Sequence, residues 1–173
     1  PIPSRGLGDV YKRQNGHSDY ILDKAESVII SPGIPPSSPF VQKISSLGIP
    51  IISEIEFAYH YCNSKKICVT GSNGKTTTTL LITHLLNNAG LSAKAVGNVG
   101  ESYAMSVAID PPDYQVIELS SFQLDFMFSF KADIALLLNI TPDHLDRYEN
   151  SFDLYVNSKF RITQNMTVND HFI

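Results

Sequence analysis

Short apolar runs alternate with segments of helical spacing along most of the chain, and this alternation predicts parallel β-strands joined by helices. Residues 27–30 form a β-branched run that ends in a proline-glycine turn, and the apolar spacing of 39–47 predicts a helix. A second strand is predicted at 49–52, which completes a βαβ unit whose strands are expected to be parallel. The first part of the chain is therefore expected to form a small parallel sheet.

A second set of apolar runs predicts a larger sheet in the rest of the chain. These runs are apolar on both faces, as is typical of strands covered on both sides in a doubly wound α/β sheet. The predicted strands are 66–69, 93–96, 115–119 and 134–139, with another beginning at 171–173. The predicted helices are a short one at 56–61, then 77–86 and 152–164. The fold class is α/β with mostly parallel sheets, and a domain boundary is expected between residues 60 and 61.

Composition and charge argue against two classes of partner. The 173 residues are 43% hydrophobic, which is enough for one core or for a core and part of another. A net charge of −4 provides no basic field for nucleic acid, and no apolar run approaches the roughly 20 residues that a membrane span requires. Cys62 and Cys68 have the spacing of neither a zinc site nor a redox pair. We expect a cytoplasmic protein that binds neither nucleic acid nor membrane.

Both ends of the sequence look unnatural. Residues 1–14 are polar and without periodicity, and the first methionine of the chain is Met105. Residues 1–14 are therefore predicted to be a non-native leader. Because the sequence ends within the apolar start of a predicted strand, the chain is predicted to be an incomplete part of a longer enzyme.

The segment Gly71-Ser72-Asn73-Gly74-Lys75-Thr76, called the phosphate loop below, connects a predicted strand to a predicted helix. Such a turn directs backbone N–H groups and the positive end of the helix dipole at one point, while a lysine and a hydroxyl complete a site for a polyphosphate with Mg²⁺. A turn that merely joins strand to helix is the alternative, but Gly-Lys-Thr in a first helical turn has no packing reason. We predict that a nucleoside triphosphate is bound by Gly71, Ser72, Asn73, Gly74, Lys75, Thr76 and Thr77.

Two further polar groups follow predicted strands at the edge of the sheet where ligands of open α/β folds bind. Glu118 is placed to bind Mg²⁺ directly or through water, and an ion pair with a neighbouring cation is the alternative. The segment 139–148 has three potential metal or proton-handling groups within four consecutive positions: Asp143, His144 and Asp146. It also contains Arg147, a cation suited to phosphate or carboxylate. The alternative interpretation of this segment is a solvated loop of mixed charge.

Lys159 lies on the apolar face of the last predicted helix. The spacing of a buried stripe is followed by Phe152, Tyr155, Val156, Phe160 and Thr163. Lys159 falls on this stripe and not opposite it. Either its stem is packed while the ammonium reaches water, or its charge is suppressed or chemically changed in the site.

Together these segments resemble the Mur ligase family, ATP-dependent amide-forming enzymes of peptidoglycan synthesis. The resemblance covers about residues 15–173 and rests on five motifs in order: 31–35, 71–77, 118–124, 139–148 and 159–162. Within the family, Glu-Leu-Ser-Ser-Phe-Gln-Leu at 118–124 resembles the members that add D-glutamate to UDP-N-acetylmuramoyl-L-alanine. A folate polyglutamate synthase or another Mur-like ligase with a different acceptor is the alternative, and those relatives lack this string. A P-loop GTPase would need an Asn-Lys-x-Asp element, which the sequence lacks.

The resemblance implies a three-domain enzyme, of which this chain would carry two parts. Residues 15–60 would be the C-terminal part of a Rossmann-like domain that binds the uridine nucleotide, and 61–173 an incomplete central ATPase domain. The C-terminal domain of the family would be absent. We therefore expect the segment to be inactive alone and the complete enzyme to be a monomer.

The resemblance also implies a mechanism and roles for particular residues. ATP would phosphorylate the substrate carboxylate to an acyl phosphate, which the amine of D-glutamate would attack. Lys75, His144 and Lys159 would be catalytic, with Lys159 carbamylated by CO₂ to give an anionic oxygen ligand. Two Mg²⁺ ions would be held by Thr76, Glu118, His144 and Lys159. The muramoyl substrate would be contacted by Ser31, Pro32, Gly33, Asn98, Ser120 and His144.

Overall fold

The computed structural model describes residues 22–173, so the predicted leader at 1–14 lies outside the described residues. The described part begins with a small parallel sheet of two strands, β1 (Val28–Ile30) and β2 (Ile51–Ser53), joined by helix α1 (Pro39–Ser46). Ser38 caps α1 by accepting the N–H of Val41, and a proline occupies the first turn, where its missing N–H costs nothing. The predicted parallel βαβ unit is confirmed.

A five-stranded parallel sheet forms the larger unit, with the strand order β4-β5-β3-β6-β7. The strands are β3 (Lys65–Thr70), β4 (Ala93–Gly97), β5 (Tyr114–Glu118), β6 (Ile134–Leu137) and β7 (His171–Phe172). The predicted α/β class with mostly parallel sheets is thereby confirmed. Because β3 lies between β5 and β6, the loops that follow these three strands meet at one edge.

Within residues 22–173, five further α-helices connect the strands: α2 (Glu54–Tyr59), α3 (Lys75–Asn88), α4 (Tyr103–Ile109), α5 (Ser121–Leu124) and α6 (Phe152–Phe160). Short 3₁₀ helices span Leu145–Tyr148 and Arg161–Thr163. The sequence patterns did not predict α4, α5 or the 3₁₀ helix at 145–148, since one or two turns are too short to show a periodicity. Helix α2 begins two residues before its predicted start because the Ser53 side chain accepts the N–H of Glu56.

Packing between the two units is reinforced by a buried carboxylate. Glu56 on α2 is 3% exposed and accepts the backbone N–H groups of Phe128, Ser129 and Phe130 at 3.0, 2.7 and 3.0 Å. The preceding turn contributes Phe126, whose side chain packs against the core between β1, β2 and α1. Helix α2 therefore fixes the loop after α5 against the first sheet, while the domain boundary between 60 and 61 stays a prediction.

The largest apolar cluster lies on one face of the five-stranded sheet, under α2 and α4, and includes Ile55, Ile117 and Leu124. A smaller cluster on the other face packs β3, β4 and β5 against α3 through Ile82 and Leu86. The sheet is thus covered on both faces, as its apolar strands predicted. Within residues 22–173, no helix is both long and apolar enough to cross a membrane.

Candidate active site

The phosphate loop leaves the end of β3 and leads directly into α3. Gly74 is the residue before the helix and has a φ of 84°, a left-handed conformation that favours glycine. No side chain caps the helix there, so the positive end of its dipole faces the loop. The loop is held to the segment after β6, because the N–H of Ser72 donates to the Asn139 carbonyl at 3.0 Å and the N–H of Asn73 to its side chain at 2.9 Å.

Lys75 folds back over the phosphate loop. Its Nζ donates to the carbonyl oxygens of Gly71 and Ser72 at 2.9 and 3.0 Å. These are neutral acceptors, and none of the described residues places a carboxylate within ion-pair distance of Lys75. Among the described residues the Lys75 ammonium therefore has no ion-pair partner, and it is available to bind an anion.

Glu118 ends β5 beside the phosphate loop and is 2% exposed. Its Oε2 accepts the Thr76 hydroxyl at 2.7 Å, and its Oε1 accepts the Asn98 side-chain amide at 2.7 Å. Among residues 22–173, no lysine, arginine or histidine forms an ion pair with it, so the alternative of a neighbouring cation is not supported. The carboxylate is thus held next to the loop by two neutral donors.

Lys159 is buried against the back of the phosphate loop, with 2% of the residue exposed. Its Nζ donates to the Gly71 carbonyl at 2.9 Å and contacts the Thr70 hydroxyl at 3.4 Å. Burial, followed by the charge of Lys75, lowers the pKa of Lys159 to about 8. The alternative in which the ammonium reaches bulk water is not supported, because only 2% of the residue is exposed.

The predicted buried stripe on this helix was partly wrong. Phe152 and Phe160 are 38% and 46% exposed. The buried face is formed instead by Tyr155, Ser158, Lys159 and Ile162. Helix α6 is oriented by hydrogen bonds of these polar side chains, for example from the Ser158 hydroxyl to the Ser121 carbonyl at 3.1 Å, and not by its largest apolar residues.

His144 lies in the loop after β6 and has a left-handed φ of 50°, an uncommon conformation for a residue with a side chain. Its Nε2 lies 3.5 Å from a carboxylate oxygen of Asp143, and its ring lies 5.3 Å from that of Phe122. Asp146 lies in the following 3₁₀ helix and is exposed. In the part of the chain that the structure describes, no group of three histidine, cysteine or acidic residues is arranged to hold a metal, so these three neighbours do not form a metal cluster by themselves.

A cavity of about 260 Å³ brings residues from both units together. The predicted site residues that line it are Pro32, Gly33, Lys75, Asn98, Ser120, His144 and Lys159. Other predicted residues border it without lining it: Thr76 and Glu118 lie behind Asn98, and Gly71 lies beneath the two lysines. Ser31 and Thr77 are exposed, and neither lines the cavity.

Asp143, which the sequence analysis singled out as a potential metal or proton-handling group, also lines the cavity, and three lining residues were missed: Ser121, Phe122 and Tyr155. Two local signals could have indicated them. Ser120 and Gln123 form a capping box, which starts helix α5 at the cavity and directs its first turn there. Tyr155 precedes Lys159 by four positions, so the two side chains share one helix face. The Tyr155 hydroxyl lies 3.0 Å from the Ser72 hydroxyl and joins α6 to the phosphate loop.

Comparison of the sequence with known proteins identifies the family that the motifs resemble. The profile of the Mur ligase middle domain matches residues 69–173. Proteins named UDP-N-acetylmuramoylalanine--D-glutamate ligase are 56% identical in Bacteroides fragilis and 53% identical in Porphyromonas gingivalis, each over 157 residues and 91% of this chain. The chain spans only 35% of the length of these relatives.

Among solved structures, the fold is similar to UDP-N-acetylmuramate:L-alanyl-gamma-D-glutamyl-meso-diaminopimelate ligase from Neisseria meningitides. The TM-score is 0.56 at 21% identity, over 88% of this chain and 53% of that one. At this level of identity the similarity concerns the fold alone.

Proposed function

Because this chain belongs to the Mur ligase family, we propose that the enzyme containing it joins D-glutamate to UDP-N-acetylmuramoyl-L-alanine with the consumption of ATP, in peptidoglycan synthesis. The observation that carries the proposal is the cavity, in which the loop after β1 faces Lys75 and Lys159. A substrate bound between them could present its carboxylate to the γ-phosphate of ATP. The relatives in Bacteroides and Porphyromonas support D-glutamate as the amino acid.

The reaction would proceed in two steps. A carboxylate oxygen of the L-alanine residue forms a bond to the γ-phosphorus while the bond to the β-phosphate oxygen breaks, which releases ADP and leaves an acyl phosphate. The amine of D-glutamate then attacks the carbonyl carbon, the tetrahedral intermediate expels phosphate, and the nitrogen loses a proton. Phosphoryl transfer of this type depends mainly on positioning and charge neutralisation.

The phosphate loop would bind ATP through Gly71, Ser72, Asn73, Gly74, Lys75, Thr76 and Thr77. Lys75 would exchange its two carbonyl acceptors for phosphate oxygens, and the uncapped start of α3 would stabilise the negative charge. For the muramoyl substrate we propose contacts with Ser31, Pro32, Gly33, Asn98, Ser120 and His144. Five of these six residues line the cavity, which supports the assignment.

The residues beside the phosphate loop fit Mg²⁺. The Thr76 hydroxyl and the Glu118 carboxylate are oxygen ligands only 2.7 Å apart, and Glu118 is buried without a cationic partner among the described residues. We propose that Thr76 and Glu118 hold one Mg²⁺ and that His144 and Lys159 serve a second. Bound there, the ions would neutralise charge that develops on the phosphates.

Lys159 is proposed to be carbamylated. Its neutral amine would bond to the carbon of CO₂ and release a proton, which converts a cation into an anionic oxygen ligand. Two observations support this: the side chain is enclosed, and its pKa is lowered to about 8, so that much of the amine is neutral near that pH. At the ordinary value of 10.5 for this group, only about 0.3% would be neutral at pH 8.

The proposal includes the setting in which the enzyme works. ATP and a uridine-linked substrate are supplied in the cytoplasm, and we place the enzyme there. We further propose that it acts as a monomer when it has the full length of its relatives.

The substrate assignment is tested by phosphate release from the enzyme at the full length of its relatives, called the full-length enzyme below. Release is measured with UDP-N-acetylmuramoyl-L-alanine, ATP and one of four amino acids: D-glutamate, L-glutamate, L-lysine or meso-diaminopimelate. We expect turnover to depend on D-glutamate. Faster turnover with any of the other three would contradict the assignment and favour the ligases with a different acceptor.

The role of Lys159 is tested by replacing it with alanine in the full-length enzyme. Lys159→Ala should be nearly inactive and partly rescued by acetate, which could place an oxygen where the carbamate was. Lys75→Ala is the matched control: it removes a neighbouring cation whose function a carboxylate cannot supply, so acetate should not rescue it. Wild-type activity of Lys159→Ala in buffer stripped of CO₂ would remove Lys159 from the site.

A further inference from the structure

Arg147 joins the loop after β1 to the loops at the edge of the larger sheet. It lies in the 3₁₀ helix Leu145–Tyr148, and its Nη1 and Nη2 donate to the carbonyl oxygens of Pro32 and Ile34, each at 3.2 Å. The guanidinium carbon also lies 4.0 Å from the centre of the Phe122 ring. One side chain therefore touches both the loop 31–34 and the start of α5, and both of these segments contribute residues that line the cavity.

These contacts do not make Arg147 a surface ion pair or a ligand of the cavity. No carboxylate lies within ion-pair distance of Arg147 in residues 22–173, and Arg147 is not among the residues that line the cavity. Its partners are neutral carbonyls and an aromatic face, which the planar fork of a guanidinium can engage together. Arg147 thus acts through the residues that it holds, and Pro32 and Phe122 both line the cavity.

The loop 31–34 depends on such an external attachment because it has little packing of its own. Gly33 and Ile34 are exposed, and the loop contains one backbone hydrogen bond, from the Ile34 N–H to the Ser31 carbonyl at 3.0 Å. The two hydrogen bonds from the charged Arg147 side chain therefore outnumber the one backbone hydrogen bond within the loop, and hydrogen bonds from a charged donor are stronger than neutral ones. Arg147 donates to the carbonyl oxygens of Pro32 and Ile34, so it fixes the backbone both before and after Gly33.

From these contacts we propose that Arg147 is a positioning residue for the uridine-linked substrate. Arg147 holds the loop 31–34 in place over the cavity, and that loop contacts the substrate. This inference rests on the proposed function, in which that loop contacts the muramoyl substrate. ATP would bind at the phosphate loop, which Arg147 does not touch. Loss of Arg147 should therefore weaken binding of one substrate and leave the other unchanged.

The kinetic test compares Arg147→Met, Arg147→Lys and wild type in the full-length enzyme. We expect the KM for UDP-N-acetylmuramoyl-L-alanine to rise by about tenfold or more in Arg147→Met, the equivalent of losing one hydrogen bond to a charged group. The KM for ATP should change less than about twofold. Arg147→Lys should resemble Arg147→Met, because an ammonium on a flexible stem lacks the planar fork that reaches two carbonyls and stacks on Phe122.

Arg161 provides a matched control. It also donates to two backbone carbonyls, those of Leu124 and Met127, and lies 5.6 Å from the centre of the Phe128 ring, but it does not touch the loop 31–34. Arg161→Met should lower the thermal stability at least as much as Arg147→Met and leave the KM for the uridine-linked substrate unchanged. An equal rise of this KM in both variants would mean that Arg147 has only a general structural role.

Hydrogen exchange gives a second readout that does not depend on activity. In the substrate-free enzyme, the Ile34 amide should exchange faster in Arg147→Met than in wild type, whereas amides of β3 and β5 should be unchanged. Unchanged exchange at Ile34 together with an unchanged KM overturns the inference. If the wild-type enzyme shows no D-glutamate-dependent phosphate release, the proposed function fails instead, and the exchange data still decide whether Arg147 holds the loop.

Discussion

The cavity has two walls of different construction. The phosphate-loop wall is lined by Lys75, which stands on consecutive residues between β3 and α3 and donates to carbonyls three and four positions earlier in the chain. The opposite wall combines the loop after β1, the start of α5 and the loop after β6. These segments are distant in sequence: Arg147 and Pro32, which are in contact, lie 115 positions apart. One wall is local in sequence, and the other depends on the packing of the whole chain.

This difference determines how each wall responds to substitution. In the phosphate-loop wall, we expect that the Lys75 side chain can be removed without moving the backbone that carries it, because it bonds only to carbonyls of its own loop. In the assembled wall, each side chain also holds a neighbouring segment, so a substitution affects stability and binding together. Lys159 and Tyr155 join the two walls, because α6 packs against the phosphate loop through both of them.

The largest effect is expected from Lys75→Ala in the full-length enzyme. Loss of a preorganised cation at the phosphates should cost about 3 kcal/mol at the transition state, which is roughly a hundredfold in rate. The melting temperature should stay within about 3 °C of wild type, since the side chain bonds only to loop carbonyls. Lys94→Ala, which removes a half-buried lysine bonded to the Asp110 carbonyl at the surface, should change neither quantity. Near-normal turnover of Lys75→Ala would contradict the phosphate-loop assignment.

Gly97→Ala should damage stability and activity together. An added Cβ at Gly97 would lie 2.5 Å from the Glu118 carbonyl oxygen, and the backbone φ of 99° already favours glycine. Strand β4 would have to move away from β5, at a cost of about 2–4 kcal/mol in unfolding free energy, and Glu118 would move with it.

Gly90→Ala separates the steric contact from the conformational cost. Gly90 has a similar φ of 80°, but nothing lies within 4 Å of its added Cβ. It should cost only about 1 kcal/mol and leave turnover unchanged. Equal losses of unfolding free energy in the two variants, measured by chemical denaturation, would show that close approach at Gly97 is unimportant.

A double-mutant cycle measures the link between α6 and the phosphate loop. Ser72→Ala and Tyr155→Phe each remove one hydroxyl of a pair that lies 3.0 Å apart. We expect a coupling free energy of about 1 kcal/mol in denaturant unfolding. Tyr155→Phe combined with Ser46→Ala, which removes an exposed hydroxyl in α1, is the control and should show no coupling. Additive effects of Ser72→Ala and Tyr155→Phe would mean that the contact contributes nothing.

The smallest effect is expected at the far edge of the sheet, away from both walls. Asp170 accepts Lys131 Nζ at 2.9 Å and the Thr167 N–H at 2.7 Å, and these bonds lower its pKa to about 2. A carboxylate whose pKa is lowered in the folded state stabilises that state at pH values above its pKa in the unfolded chain, near 4. This contribution is lost as the pH falls through 2.

Asp170→Asn should therefore melt below wild type at pH 6, and the difference should shrink toward pH 2. Its turnover at neutral pH should equal that of wild type. Asp113→Asn makes the same change of charge at an exposed position and is the control. A difference in melting temperature that did not depend on pH would contradict the explanation by Lys131 and Thr167.

Much of the fold could be predicted from the sequence because its signals are local. The apolar runs at β3 and β5 and the alternation with helices predicted the parallel sheet, and Gly74 with Lys75 predicted the loop that opens α3. The partly wrong stripe on α6 shows the limit of this reasoning. Periodicity placed Lys159 on the apolar face, but it could not show that this face bonds to Ser121 and Gly71, from distant parts of the chain, while Phe152 and Phe160 are exposed.

The sequence by itself determined the phosphate loop, since turn geometry and helix entry depend on residues next to one another. It also determined the parallel strands, and with them the edge at which the polar segments meet. Only the tertiary structure decided that Lys75 and Lys159 share the Gly71 carbonyl and that Arg147 reaches the loop after β1. Such contacts join residues 88 and 115 positions apart, and no local preference of the chain records which distant groups will meet once its apolar faces are packed.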